Sequence, residues 1–176
     1  CVARNYVAHA QEMGSSGRIS RNLIRGSQVA AAAGTGYTPT ARLEELFVLE
    51  GNPAPGRTSS DLEQALRAEV AKLREELISA EELARVVAQV AATDVYQQDS
   101  LFYQAMRLGT LETVGLGWNR LDDYVQRIQA ITPEQVRAVA RKYLTDDRLT
   151  VATLEPLPLE GRRLSAPAAG MDHAIR

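Results

Sequence analysis

The residue types that do most chemistry are scarce in this 176-residue chain: one thiol, Cys1, and two imidazoles, His9 and His173. Their sharpest pattern is His9-Ala-Gln-Glu12. A helical H-x-x-E-H binds zinc through two histidines, and its glutamate activates a water. Here the fifth position is Met13, and a thioether does not replace an imidazole on Zn²⁺. His9 and Glu12 therefore read as an ordinary helix surface. Cys1 has no base among its sequence neighbours and is not set up as a nucleophile. A lone cysteine also excludes an intrachain disulfide, a Cys-rich zinc site and an iron–sulfur cluster. The expectation is a chain with no catalytic residue, no metal ligand and no cofactor of its own.

Weaker candidates resolve the same way. Gly14-Ser-Ser-Gly17 before Arg18 could hold a phosphate at a helix N-terminus. It lacks the lysine and spacing of a phosphate-binding loop and reads as a turn between helices. The acidic pairs Glu75-Glu76, Glu81-Glu82 and Asp122-Asp123 read as solvated groups complementing helix dipoles. Trp118 and Tyr103 read as core or rim residues. The 20 basic residues, 18 of them arginine, are outnumbered by 22 acidic ones. Residues 1–42 carry +4, residues 43–99 carry −7 and residues 100–176 carry +1. The basic cluster Arg4, Arg18, Arg21, Arg25 and Arg42 has no interleaved aromatics, so no nucleic-acid partner is expected. No apolar run approaches the ~18 residues of a membrane span, and no signal-peptide pattern is present. The start on Cys-Val rather than Met suggests a chain cut from something longer.

These residues must be carried by a set of elements with clear signals. Val2, Tyr6, Val7 and Ala10 predict a helix over residues 1–13, and a short second one covers Arg18–Arg25, stopped by Gly26. The alanine-rich stretch Gln28–Tyr37, broken by Gly34 and Gly36, and Leu46–Glu50, stopped at Gly51, predict two strands in an antiparallel pair. The small alanines suggest a strand against which something packs closely. Ser60-Asp-Leu-Glu63 and Ser79-Ala-Glu-Glu82 read as capping boxes opening helices. Leu62, Leu66, Val70, Leu73 and Leu77 line the first helix, and Leu83, Val86, Val87 and Val90 the second. The second is expected to run through Val95 towards Leu108. Another helix is expected near Leu121–Ile131. A third box, Thr132-Pro-Glu-Gln135, opens a helix burying Val136, Val139, Ala140, Tyr143 and Leu144. Leu149–Leu154 reads as a last strand.

The order implies an α+β domain, a two-layer sandwich of helices on one face of a mainly antiparallel sheet lacking its first strand. Its bounds are residues 1–158, with a flexible tail over 159–176. An all-helical dimerisation module would instead require residues 28–37 to be helical.

The motif series, taken in order, resembles a known family. It comprises Gly-Ser-Ser-Gly-Arg18-Ile-Ser-Arg-Asn-Leu-Ile24, the F-x-L-x-G-x-P-x-P-G run Phe47–Gly56, the capped helix Ser60–Leu77, and Ile78-Ser-Ala-Glu-Glu-Leu-Ala-Arg85. It continues through Tyr96-Gln-Gln-Asp-Ser-Leu-Phe-Tyr-Gln-Ala-Met106 and Ile131–Leu144 to Leu149–Leu154. Over about residues 5–158 this is similar to the second, non-catalytic half of the pitrilysin (insulinase) zinc peptidases, which include the mitochondrial processing peptidases. The resemblance implies the metallopeptidase-half fold shared with LuxS, in which tandem halves enclose a peptide-holding chamber. It also implies zinc in a first half preceding Cys1. Active relatives hold substrate with an arginine and, seven residues later, a tyrosine. The matching positions here are Ile24 and Ala31, so that pair is absent, and no substrate-binding residue is assigned. In two-subunit bacterial relatives a separate partner chain carries it. The implied role is the inactive C-terminal domain of a bacterial zinc metalloendopeptidase. Its implied partners are the N-terminal zinc domain of the same parent chain, a homologous subunit and a peptide substrate. The alternative is a scaffold or subunit-interaction protein of the same fold, like the core proteins of the respiratory bc1 complex. The sequence assigns no compartment; the bacterial relatives point to the periplasm.

Overall fold

The computed structural model describes residues 17–156. The expected helix over residues 1–13, His9, Glu12, Cys1, His173 and the tail from residue 159 lie outside the described residues. Six helices and two strands follow in the order α1 (Ser20–Gly26), β1 (Ala30–Gly36), β2 (Val48–Pro53), α2 (Ser59–Glu75), α3 (Ala80–Gln97), α4 (Leu101–Thr113), α5 (Tyr124–Gln129) and α6 (Pro133–Tyr143). Short 3₁₀ turns at Trp118–Leu121 and Asp146–Arg148 complete the path. The class is α+β, mostly helical, with one small antiparallel sheet.

The hairpin β1–β2 is present where two strands are expected, which rules out the all-helical alternative. Its far end differs from the sequence expectation. Gly51 does not stop β2 but lies inside it, opposite Ala33. The reason is close packing: a Cβ at Gly51 would stand 3.1 Å from Leu62 Cδ2 and 3.0 Å from the Ala32 carbonyl oxygen. Glycine lets α2 sit on the strand there. α1 is wound as a π-helix, with the Ser27 N–H donating to the carbonyl five residues back, on Asn22. Gln28 then takes φ of 51° and turns the chain into β1.

The helix starts follow their side chains. α2 is capped two residues earlier than the Ser60 box. Thr58 Oγ1 accepts from the Asp61 N–H at 3.1 Å, and the Asp61 carboxylate accepts from the Thr58 N–H and hydroxyl at 2.8 Å. Glu63 is thereby free to pair with Arg67 one turn on, at 2.7 Å. At α6 the Thr132–Gln135 box forms as expected, with Pro133 in the first turn. The long helix expected from Ser79 to Leu108 is two helices. Asp99 and Ser100 break it, because the Ser100 hydroxyl accepts from the Tyr103 N–H and caps α4.

Two apolar clusters hold these elements. One unites Ile19, Leu23, Val29, Ala30 and Leu62, from α1, β1 and the start of α2. The other unites Leu73, Val86, Val90, Ile128, Val136 and Ala140, among others, from α2, α3, α5 and α6. α2 belongs to both and is the beam between them. Leu149–Leu154, expected as a strand, is not one. It pairs with neither β1 nor β2, and an extended segment without a ladder neighbour is not a strand.

Ile128, 1% exposed, should be the costliest kind of truncation: Ile128→Ala is expected to lose about 3 kcal/mol in urea unfolding. Leu154→Ala, at a residue 90% exposed, should change stability by less than about 0.5 kcal/mol. The Thr58 N–H and hydroxyl bonds hold the Asp61 carboxyl below its ordinary pKa. A depressed folded-state pKa contributes stability that is present above the ordinary carboxylate range and lost as pH falls through the folded value. Asp61→Asn should therefore shallow the acid limb of a stability–pH curve and leave the neutral-to-basic limb parallel to wild type.

Candidate functional site

The conspicuous chemistry of the described residues is a polar seam under α1. Arg18 reaches α3, where its Nε donates to Glu82 Oε1 at 3.0 Å and its Nη2 to Glu82 Oε2 at 2.9 Å. The pair is largely out of water, with side chains 12% and 9% exposed. Arg21 Nη2 stands 3.9 Å from the same Oε2. Asn22 reaches α2, donating from Nδ2 to Glu69 Oε2 at 2.9 Å, while Lys72 Nζ donates to Glu69 Oε1 at 2.7 Å. A third buried acid, Asp94, accepts from Arg107 Nη1 at 2.7 Å and from Gln98 at 3.1 Å. The Arg107 guanidinium carbon lies 5.9 Å from the Tyr103 ring centre and 5.6 Å from that of Tyr124.

This arrangement binds elements rather than ligands. Every oxygen of Glu82, Glu69 and Asp94 is engaged by a donor of the chain. Such carboxylates have no lone pair directed at a substrate and no vacancy for a cation. No group of three or more His, Cys, Asp or Glu side chains able to hold a metal occurs among the described residues. No described helix is long and apolar enough to cross a membrane.

The sequence candidates fall as follows. Gly17 begins the turn into α1, and Arg18 beside it holds Glu82 and no phosphate. Glu82 corrects the reading of the acidic pairs as solvated: only its neighbour Glu81 is exposed. Ser79 does cap α3, accepting from the Glu82 N–H at 3.1 Å, but the glutamate turns to Arg18 rather than closing the box. Asp123 is half-buried and 3.8 Å from Arg127. Tyr103 is a half-buried platform for Arg107. Trp118 is exposed, and its N–H donates to Glu112 Oε1 at 2.7 Å. Ile24 packs beside the α1 cluster and Ala31 lies exposed on β1; neither carries a polar side chain.

Glu69 and Asp94 escape a reading based on apolar stripes, yet the signal is present. Glu69 stands seven residues after Leu62 and four before Leu73. Glu82, Val86, Val90 and Asp94 follow at four-residue intervals and are all buried. An acid inside an apolar stripe requires a cation from another element.

Comparison with known proteins adds the architecture's relatives. No family model matches the sequence, and no curated protein does. Among solved structures, the inactive peptidase domain of a candidate zinc protease from Bordetella parapertussis superposes with TM-score 0.74 at 18% identity, covering 90% of this chain and 86% of that one. The chain has the fold of a peptidase domain. A candidate zinc protease from Bordetella pertussis Tohama I gives TM-score 0.75 at 18% identity, over 89% of this chain and 84% of that one. A protease from Helicobacter pylori gives TM-score 0.72 at 22% identity over 84% of this chain. The present chain spans only 35% of that longer protease.

Removal of one partner from the Arg18–Glu82 pair leaves a buried charge unpaired. Arg18→Ala is expected to cost about 3 kcal/mol in denaturant unfolding. The double replacement Arg18→Met with Glu82→Leu should recover most of that loss, since an apolar pair needs no counter-charge. Additive losses in the two single variants and the double would mean the two groups do not act together.

Proposed function

We propose that this chain is the non-catalytic C-terminal domain of a bacterial zinc metalloendopeptidase resembling pitrilysin. In this reading it completes the wall of a peptide-binding chamber and supports a zinc-bearing domain preceding it in the parent chain. The observation that carries the reading is the shared fold with the inactive peptidase domain from Bordetella parapertussis, over nine-tenths of this chain. The motif series from Gly14 to Leu154 supports the same assignment independently. The finer fold reading, a two-layer peptidase half whose sheet is completed by a further strand, is favoured by Leu149–Leu154. That segment is apolar, β-branched and without a ladder neighbour.

The mechanical contribution is rigidity. In the resemblance, Ile24 and Ala31 occupy the positions of the arginine and tyrosine that hold substrate. Both flank the turn from α1 into β1, and the Arg18–Glu82 and Asn22–Glu69 contacts fix that turn to α3 and α2. With aliphatic groups there, the domain supplies surface to a peptide rather than a cationic grip. The grip and the zinc come from elsewhere in the assembly: the zinc domain and a homologous subunit.

The purified chain should carry less than stoichiometric zinc by metal analysis and should leave a quenched peptide substrate intact. Co-expression with the polypeptide encoded ahead of Cys1 should yield a zinc-dependent peptidase, and that polypeptide should contain H-x-x-E-H. One tight zinc per isolated chain would sink the proposal. A preceding polypeptide lacking the motif would turn it towards a scaffold of the same fold.

A further inference from the structure

α4 is the helix whose surface the fold accounts for least. Its inner side is Tyr103, Arg107 and Leu111, at four-residue spacing, with Leu111 buried and Arg107 on Asp94. The opposite side presents Leu101, Phe102, Ala105, Met106, Leu108 and Gly109, all exposed. Leu101 and Phe102 are 83% and 80% exposed. At about 100° per residue these six positions span roughly 160° of the helix surface. A helix with water on one side carries polar groups there, so α4 is built with two apolar sides and has a partner for one.

We propose that this outer face is a self-association surface, on which α4 pairs antiparallel with α4 of a second copy of this chain. The two-fold axis passes between Ala105 and Met106. The order of side-chain sizes argues for a second copy. In this register Phe102 stands over Gly109 of the second copy, Met106 over Ala105 and Leu101 over Thr110, a bulky group over a smaller one each time. Because the interface is isologous, each match occurs twice. The recess is open, since a Cβ at Gly109 would meet nothing within 4 Å. The area is also appropriate. One such face offers on the order of 500 Å², at the upper end of what a monomer leaves exposed. Two faces bury about 1,000 Å², where specific dimers begin. Asp99 and Glu112 lie beyond the two ends of the apolar span and oppose each other in this register. Screening their repulsion with salt tightens the dimer. The surface is independent of the peptidase reading and can fail without it.

Sedimentation equilibrium of the full 176-residue chain tests the proposal, over loading concentrations from about 1 to about 200 µM, with a dissociation constant expected in the micromolar range. Phe102→Glu should weaken association at least about tenfold. Gly109→Phe fills the recess and should weaken it comparably while raising helix propensity, with circular dichroism reporting an intact fold for both variants. Gln129→Glu, exposed on α5, should leave association unchanged. A chain monomeric throughout the range overturns the proposal and assigns the face to another polypeptide. A dimer that survives both α4 substitutions overturns it equally.

Discussion

The bidentate contact between Arg18 and Glu82 is the constraint on which the rest of the structure depends. A carboxylate at the third position of α3 would ordinarily return to its own N-cap and serve the helix that contains it. Here it serves a residue 64 positions earlier, tying α1 to the helical layer across the whole β-hairpin. A buried ion pair is worth little beside an apolar pair of equal volume. Its discrimination is against other placements, since any shift of α1 strands two charges away from water. Close by, Asn22 fastens the same turn to Glu69 on α2. α1 is too short and too widely wound to hold its place by helix packing alone. Its position is set by polar geometry above and by Ile19 and Leu23 below.

α3 is the recipient of this constraint at both ends. Glu82 near its start and Asp94 near its finish lie on the buried side with Val86 and Val90 between them. Each acid takes its cation from a different neighbour: Arg18 from before the sheet, and Arg107 from α4. The Arg107 guanidinium is in turn bracketed by Tyr103 and Tyr124, which bridges α4 to α5. Thus a helix with an ordinary apolar stripe specifies the placement of three others through two acids.

Much of this was legible in the sequence, and what was not had local causes. The helix over residues 133–143 is readable because Thr132, Pro133 and Gln135 each favour the same start, and its apolar stripe agrees with them. Residues 58–63 offer two overlapping boxes. The structure uses the earlier, since Thr58 and Asp61 satisfy each other and release Glu63 for Arg67. Gly51 reads as a strand stop from residue preference alone. Its actual role, leaving room for Leu62, is a tertiary contact that no local pattern contains. Leu149–Leu154 has strand composition, but a strand also requires a neighbour, and composition cannot supply one. The seam was partly visible, as acids at helical spacing within apolar stripes. Which arginine answers which acid depends on the path of the chain between them.

The unladdered segment has a consequence for how such a domain fares alone. Leu149-Thr-Val-Ala-Thr-Leu154 is six residues without charge, proline or glycine, and its exposed backbone is available to any extended chain that meets it. Segments of this kind seed intermolecular cross-β stacking. Asp146, Asp147 and Arg148 stand immediately before it, and Glu155-Pro156 immediately after. Charges and a proline in those positions act as gatekeepers that interrupt a growing stack at both ends. The chain therefore carries, next to its stickiest stretch, the residues that keep that stretch from nucleating fibrils.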